Sequence, residues 1–332
     1  MNEFSYIPFL TNIISNDFIF IDLPYYANIG DTLIWKGTEE LLKNVSHKCL
    51  LRSSYQTFQY PKLSDDIVIL MMGGGNWGDL YEPHNVLRRN VVQCYPNNRI
   101  IILPQTIYYE GARNARSDAN IFRKHKKLTI CARDKYSYRF LKAYGFGNDI
   151  RLVPDMAFCI NVEELKLYTK PTLNKDLLFK RIDKEKTDTH IIDHISKDYD
   201  INDWPLYGEE DSQLTNLYGL IEQKKWKEAD DYAVNIYLPN RVKVGVELIS
   251  QYNKVISNRL HGAILSILLD KEVYIIDNSY GKNSQYFKTW LTGVKKVHLL
   301  STSHSLNLYR KIRFFIYYIL SMVDRIIGGK SE

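Results

Sequence analysis

The chain has 332 residues, more than one hydrophobic core usually organises, so two domains are expected. Hydrophobic residues make up 45% and charged residues 25%, a composition that fits a soluble globular protein and excludes a disordered or fibrous chain. The formal charge of +6 suits an anionic ligand and an ordinary basic surface equally well, and no nucleic-acid partner is predicted. The four cysteines are widely spaced, so reduced thiols in the cytosol are expected rather than disulfides or a metal site.

The N-terminal half alternates short apolar runs with helical patterns. Continuous apolar runs predict strands at residues 18–22, 67–72, 99–103 and 128–132, with Pro104 stopping the third strand. Helices are predicted at residues 32–42 and 134–144, and the second ends near Gly145. Uniformly apolar strands that alternate with helices are typical of a parallel sheet covered on both faces.

The alternation pauses and then resumes in the C-terminal half. Residues 162–226 are charged and predict irregular connections or a variable subdomain. Helices at 242–251 and 261–269 and strands at 254–257 and 272–277 follow. The sequence therefore predicts an α/β protein of two Rossmann-like parallel-sheet domains that face a cleft. The N-terminal domain is placed at residues 1–160 and the C-terminal domain at residues 161–305.

The two ends of the chain bear on its location. Residues 314–323 are almost wholly apolar and follow a basic stretch, but spanning a bilayer takes about 20 residues. A C-terminal helix over residues 306–328 is predicted to pack on the protein, and peripheral contact of residues 308–328 with the inner face of the cell membrane is the alternative. The N-terminus lacks the features of a signal peptide, so a cytoplasmic location is predicted.

Polar clusters follow several of the predicted strands, where ligands bind in open α/β sheets. The first contains Asn28 and Asp31, at the start of a predicted helix. Asp31 would serve as the cap of that helix, or it would accept a proton from a sugar hydroxyl. Asn28 is a candidate for binding the same sugar.

The second cluster, residues 73–81, begins with three glycines that allow the backbone to approach a ligand closely. It differs from the dinucleotide-binding pattern in spacing. Asn76, Trp77 and Asp79 follow the glycines and predict an aromatic surface for a sugar beside a carboxylate base. We therefore interpret it as a binding site rather than a simple turn.

Cationic side chains follow three further strands. Arg133 precedes Asp134, a predicted helix cap, and either grips an anion or pairs with Asp134 or Asp155. The turn that contains Asn258, Arg259 and His261 lies between a strand and a helix start, where anions are favoured. His261 can exchange protons near neutral pH. The last cluster offers Lys282 for a phosphate and Asp277 or Asn278 to orient His261.

With these clusters in order, the chain resembles the polysaccharide pyruvyl transferase family. The matching segments are residues 28–31, 73–81, 103–106, 132–134, 153–155, 257–262 and 277–282. They extend over nearly the whole chain, whereas residues 162–230 match poorly and the C-terminal apolar run adds nothing.

The resemblance implies a fold like that of two-domain type B glycosyltransferases. It also implies a reaction in which phosphoenolpyruvate forms a cyclic pyruvate ketal across two hydroxyls of a surface-polysaccharide sugar, such as one of a capsule or exopolysaccharide, or of its lipid-linked precursor. The family's Arg-x-His turn maps onto Arg259 and His261 as donor-binding and catalytic residues, and its Arg-Asp motif maps onto Arg133. No metal and no cofactor beyond the co-substrate phosphoenolpyruvate is expected.

The residues themselves suggest how that chemistry would be divided. Arg133, Arg259 and Lys282, together with Asn258, would hold the carboxylate and phosphate of the donor. His261 would protonate its methylene carbon, and Asp79, or Asp31 if it is not the cap, would accept the hydroxyl proton. Two alternatives stay open at this point, namely a nucleotide-sugar-dependent glycosyltransferase of the same fold and a non-catalytic sugar- or anion-binding module.

Overall fold

The computed structural model describes residues 6–147, 149–181, 198–205, 212–277 and 281–300. The predicted C-terminal helix at 306–328, its membrane contact and Asn278 lie outside these residues. No helix in these ranges is both long enough and apolar enough to cross a membrane. The limits of the two domains at residues 160 and 305 stay a prediction.

Seven parallel strands form the first sheet. They are β1 Phe18–Ile21, β2 Cys49–Ser53, β3 Val68–Met71, β4 Gly74–Gly78, β5 Ile100–Tyr108, β6 Leu128–Ala132 and β7 Asp149–Leu152. Their order is β2-β1-β3-β5-β6-β7, and β4 also pairs with β5. Strands β1, β3 and β6 are buried at every position, as expected for a sheet covered on both faces.

Five parallel strands form the second sheet. They are β8 Asp176–Phe179, β9 Tyr199–Asn202, β10 Lys254–Ser257, β11 Glu272–Ile276 and β12 Val297–Leu300, in the order β12-β11-β10-β8-β9. The predicted fold class is therefore confirmed. The prediction of irregular structure over 162–226 is wrong in part, because β8, β9 and two helices lie there.

Helices cover both sheets. They are α1 Tyr6–Ile13, α2 Ile29–Leu42, α3 Glu82–Cys94, α4 Ala112–Phe122, α5 Lys135–Tyr144, α6 Val162–Lys166, α7 Ser212–Glu222, α8 Trp226–Tyr232, α9 Leu238–Ser250, α10 Leu260–Leu268 and α11 Lys282–Tyr286. A 3-10 helix at Met156–Cys159 and π-helices at Ala233–Tyr237 and Phe287–Leu291 complete the described part of the chain. Helix α2 packs against α9 and α10, so one hydrophobic core runs between the two sheets.

Strand β5 continues past the proline that was predicted to stop it. Pro104 lies where the register with β6 shifts between Ile102 and Gln105, so its missing N–H falls at an irregularity and not within a regular ladder. Gln105 then pairs with Gly74 of β4. The extended β5 carries Thr106 to the edge of the first sheet, beside the cleft described below.

Candidate active site

A cleft of about 410 Å³ lies where the carboxyl ends of the two sheets face each other. Asn28, Gly75 and Arg133 line it from the first sheet, and Arg259 and Lys282 line it from the second. Ligands bind at this edge in open parallel sheets. The fold therefore brings together clusters that are more than 200 residues apart in the chain.

Arg133, Asp155 and His261 form one hydrogen-bonded group at the cleft. Asp155 Oδ2 accepts a hydrogen bond from Arg133 Nη1 at 2.7 Å and contacts His261 Nε2 at 3.0 Å. Arg133 Nε donates to Thr106 Oγ1 at 2.8 Å. The carboxylate that orients His261 is thus Asp155, and it also pairs with Arg133, which still lines the cleft.

Burial and neighbouring charges fix the ionisation of the Asp155 carboxyl. Burial alone raises the pKa of the Asp155 carboxyl, but His261 and Arg133 together outweigh it and hold that pKa well below its ordinary value. Asp155 is therefore ionised at neutral pH. Arg133 Nη2 is buried and has no hydrogen-bond partner among the described residues. A buried donor without a partner costs about 1–3 kcal/mol, so this N–H group is suited to an anion in the cleft.

Two glycines leave room for charged side chains to pack closely at the cleft. A Cβ atom on Gly75 would lie 2.7 Å from Arg133 Nη2 and 3.4 Å from Lys282 Nζ. A Cβ atom on Gly30 would lie 2.9 Å from His261 Nδ1. Gly75 therefore marks the point where two cations converge, and Nδ1 of His261 faces the first turn of α2.

Helix α11 and the π-helix that follows it tie the second sheet to this group. Lys282 begins α11 and is 9% exposed. Tyr286 Oη accepts the backbone N–H of Asp155 at 3.1 Å, and Trp290 Nε1 donates to the carbonyl of Arg133 at 2.7 Å. Asp277, considered as a partner for His261, instead accepts the backbone N–H of Ser284 at 3.2 Å. This segment therefore fixes Lys282 relative to Arg133.

Arg259 lines the cleft, and it is bound to a partner that the sequence did not indicate. Its Nε and Nη2 both donate to the carboxylate of Asp203, with Nη2 2.7 Å from Oδ2. Asp203 follows β9, in the stretch that was predicted to be irregular. No sequence pattern pointed to it, because its role depends on a strand that carries little apolar character.

Asn258, predicted to bind the donor, holds the turn instead. Its Oδ1 accepts the backbone N–H of Arg181 at 2.6 Å, and its carbonyl accepts Asn283 Nδ2 at 2.8 Å. The residue is 1% exposed and does not line the cleft. The prediction placed Asn258 at the donor, whereas its side chain joins the end of β8 to the turn after β10 and does not line the cleft.

Asp31 does not have its predicted role as the cap of α2. Asn28 is the cap of α2 and accepts the backbone N–H of Gly30, so Asp31 is not the cap and lines the cleft. Asp31 Oδ2 accepts hydrogen bonds from Asn28 Nδ2 at 2.7 Å and Tyr26 Oη at 3.1 Å. Burial, followed by the charge of Asp31, raises the pKa of Tyr26, which keeps the phenol protonated as a donor.

Asp79, the preferred base, lies away from the cleft. Its carboxylate accepts the backbone N–H of Glu110 at 2.7 Å and Asn114 Nδ2 at 3.0 Å. Gly78, with φ of +119°, turns the chain so closely past Tyr108 that a Cβ atom there would lie 1.7 Å from its carbonyl oxygen. The prediction placed Asp79 at the cleft, whereas this turn directs it towards the start of α4.

Of the three predicted acceptor residues, two line the cleft and one does not. Asn28 and Asn76 line the cleft, and Asn76 Oδ1 accepts a hydrogen bond from Arg88 Nη2 at 2.6 Å. Trp77 is 2% exposed and packs among apolar side chains, with its ring centroid 5.0 Å from that of Phe122. The prediction placed Trp77 at the sugar, whereas the structure buries its ring in the core and does not bring it to the cleft. Its flanking glycines suggested a loop, whereas the residue belongs to β4 and faces the core.

His84 is a cleft residue that the sequence analysis missed. Its Nδ1 lies 2.6 Å from Asp22 Oδ1, and Asp22 Oδ2 accepts a hydrogen bond from Arg88 at 2.7 Å. Tyr26 and Tyr55 contact the imidazole edge-on at centroid distances of 5.9 and 4.9 Å. A signal was available, because Asp22 ends the first predicted strand. This wall supplies the aromatic surface that had been assigned to Trp77.

No three His, Cys, Asp or Glu side chains in the described ranges lie close enough together to hold a metal ion. The polar groups that line the cleft are cations, carboxylates, amides, imidazoles and aromatic hydroxyls. Such a set can hold an anion, deliver a proton through His261 and accept one through Asp31.

The chain is similar to known proteins over most of its length. Residues 28–280 match the model of the polysaccharide pyruvyl transferase family. EpsO from Bacillus subtilis, whose name includes pyruvyl transferase, is 35% identical over 86% of this chain and 88% of its own length. Pyruvyl transferase 1 from Schizosaccharomyces pombe is 27% identical over 82% of this chain and 69% of its own length.

A solved structure shares the fold. It belongs to an uncharacterised protein from Klebsiella pneumoniae, is 20% identical in sequence and aligns with a TM-score of 0.61. The alignment covers 91% of this chain and the whole of the other. At this identity the likeness bears on the architecture alone.

Proposed function

Since this chain belongs to the polysaccharide pyruvyl transferase family, we propose that its cleft moves the pyruvyl group of phosphoenolpyruvate to a sugar. The acceptor is a surface-polysaccharide sugar or its lipid-linked precursor, and the product is a cyclic ketal with release of phosphate. The observation that carries the proposal is the shared carboxylate of Asp155, which places a buried arginine and a histidine side by side at an anion-attracting cleft.

The donor is assigned to the side of the cleft where cations converge. Arg133 Nη2 and Lys282 Nζ both approach Gly75. Arg259, which follows β10, lines the same cleft. Phosphoenolpyruvate carries a carboxylate and a phosphate, so it needs at least two cationic anchors. The same cations stabilise the phosphate as it departs, because they are already in place when negative charge develops on the leaving group.

His261 is assigned the first proton transfer. With Nε2 bonded to ionised Asp155, Nδ1 is the nitrogen left to deliver a proton to the methylene carbon, which becomes the methyl group. The adjoining carbon then carries positive charge and is attacked by the first sugar hydroxyl. The second hydroxyl displaces phosphate from the same carbon. Of the two hydroxyl protons, one restores His261, and the other is taken up by Asp31 and passed to the departing phosphate.

Asp31 is assigned the acceptance of a hydroxyl proton. It replaces Asp79 in this role because it lines the cleft, and both of its described hydrogen bonds fall on Oδ2. Asn28 and Asn76 line the same cleft with His84 and are assigned to the sugar. The scheme requires no cofactor beyond the co-substrate. The cytoplasmic location and membrane contact through residues 308–328 stay predictions.

Sugar-dependent phosphate release from phosphoenolpyruvate tests the proposal. Purified protein is incubated with phosphoenolpyruvate and a panel of hexosides, with His261→Ala as the catalytic variant and Asp79→Asn as the matched control. We expect release by the wild type and the control, and none by His261→Ala, which still binds phosphoenolpyruvate. Turnover that occurs only with a nucleotide sugar supports a glycosyltransferase instead. A His261→Ala variant with every function intact supports a non-catalytic module.

A further inference from the structure

Asp203 and Arg259 form a nearly enclosed ion pair beside the cleft. The Arg259 guanidinium donates from two nitrogens to both oxygens of Asp203. Only 7% of the Arg259 side chain and 6% of the Asp203 side chain are exposed. A two-point pair of this kind fixes the plane of the guanidinium as well as its position.

The carboxylate of Asp203 is itself held in place. Asp203 follows β9, whose register places Asn202 beside Phe179 of β8. Its Oδ1 accepts the backbone N–H of Trp204 at 2.7 Å. The Trp204 ring is 2% exposed and packs edge-on against Phe179 at 4.5 Å between centroids. A strand and a buried aromatic pair therefore position the oxygens that Arg259 meets.

The charges around Arg259 make an anionic partner necessary. Arg259 is the cap residue of α10, and the N-terminus of a helix carries partial positive charge. Arg133, Arg181 and Lys282 line the same cleft. Each of these cations repels a nearly buried guanidinium, and the carboxylate of Asp203 offsets that repulsion at Arg259.

We infer that Asp203 is the positioning residue for Arg259 in the pyruvyl transfer proposed above, on which the inference rests. Asp203 engages Nε and Nη2 of the guanidinium and so fixes where Arg259 holds its positive charge at the cleft, which attracts the anionic groups of phosphoenolpyruvate. Asp203 does not contact the donor. It acts by setting the direction from which Arg259 presents its charge, in the way that Asp155 orients His261.

Steady-state kinetics of a double-mutant cycle test the inference, with Asp203→Ala, Arg259→Ala and the double variant measured beside the wild type. We expect Asp203→Ala to lower kcat/KM for phosphoenolpyruvate by tenfold or more, with the KM for the sugar unchanged. In the Arg259→Ala background the same substitution has no further effect, because its target is gone. Asp200→Ala is the matched control, since Asp200 lies on β9 and pairs with Lys175 outside the cleft.

Each other result decides the question. Losses that multiply in the double variant show that Asp203 acts independently of Arg259 and overturn the inference. An unchanged kcat/KM in Asp203→Ala, or an equal loss in Asp200→Ala, overturns it as well. A wild type that turns over no phosphoenolpyruvate overturns the proposed function, and this inference with it. If the wild type turns over phosphoenolpyruvate but the losses multiply in the double variant, only the inference is overturned and the proposed function stands.

Discussion

Replacing Gly75 with alanine places a methyl group where two cations of the cleft converge. The new Cβ lies 2.7 Å from Arg133 Nη2, whereas ordinary contacts begin at 3.4 Å, so the guanidinium has to move by about 0.7 Å. Arg133 is held by short bonds to Thr106 and Asp155 and cannot move while keeping both. Gly75 belongs to β4, where alanine fits the backbone, so the perturbation falls on the cations.

The size of the effect follows from the hydrogen bond between Arg133 and phosphoenolpyruvate that the substitution is expected to remove. A hydrogen bond of a charged group contributes roughly 1.5–3 kcal/mol, and each 1.4 kcal/mol is about tenfold in an equilibrium constant. We expect Gly75→Ala to lower kcat/KM for phosphoenolpyruvate by roughly 10- to 100-fold, measured as sugar-dependent phosphate release. Calorimetry of phosphoenolpyruvate binding should show weaker affinity, because Arg133 and Lys282 no longer converge.

Gly219→Ala is the matched control for this substitution. Gly219 lies within α7, and a Cβ atom there meets nothing within 4 Å. Alanine in a helix interior is favoured over glycine by about 1 kcal/mol, so this variant should keep full activity and melt at the same or a higher temperature. Wild-type kcat/KM in a folded Gly75→Ala protein would refute the assignment of the donor to this side of the cleft.

Three further substitutions separate site residues from structural ones, and a fourth tests a buried carboxyl. Asp31→Asn should lower kcat by roughly 100-fold with thermal stability retained, whereas Asp79→Asn leaves kcat unchanged; equal kcat values for both would contradict the assignment of the base to Asp31. Trp77→Phe should lower the denaturation midpoint through lost core packing and leave the KM for the sugar unchanged, and a raised KM with normal stability would return Trp77 to the acceptor site. Burial raises the pKa of Asp230 to about 6, so the folded state holds this proton more tightly than the unfolded chain and loses stability as pH rises from about 4 to 6. Asp230→Asn should remove a loss of about 3 kcal/mol over that range in denaturant titrations, and an unchanged pH profile would contradict it.

A strand can be predicted from the sequence when its own residues are apolar enough to require burial. Strand β6 is apolar at four of its five positions and is found at the predicted residues. Strand β10 is also found where it was predicted, with two apolar residues between Lys254 and Ser257. Strand β4 reads Gly-Gly-Asn-Trp-Gly and has no strand pattern of its own. It is extended because it lies beside β5, which is a tertiary contact and leaves no local signal.

For the site, the sequence predicts which residues follow the strand ends but not where their side chains point. Residues 133, 259, 261 and 282 could be assigned to a common edge because parallel strands end on one side of a sheet. The direction of a side chain after the strand end is set by the next turn, and the sequence does not reveal it. Gly78 illustrates this, since its left-handed conformation removes Asp79 from the cleft while the neighbouring Asn76 stays in it. Asp203 and His84 were missed because their partners lie far along the chain.

The fate of the donor carbon tests the assignment of this cleft to pyruvyl transfer. Phosphoenolpyruvate labelled at the carbon that bears the phosphate is incubated with a hexoside, and the product is examined by nuclear magnetic resonance. We predict that the wild type converts the label into a ketal carbon bonded to a methyl group and to two sugar oxygens, with one phosphate released per ketal, and that His261→Ala forms none. A label that stays in phosphoenolpyruvate with every hexoside, while a nucleotide sugar is consumed, would contradict the account.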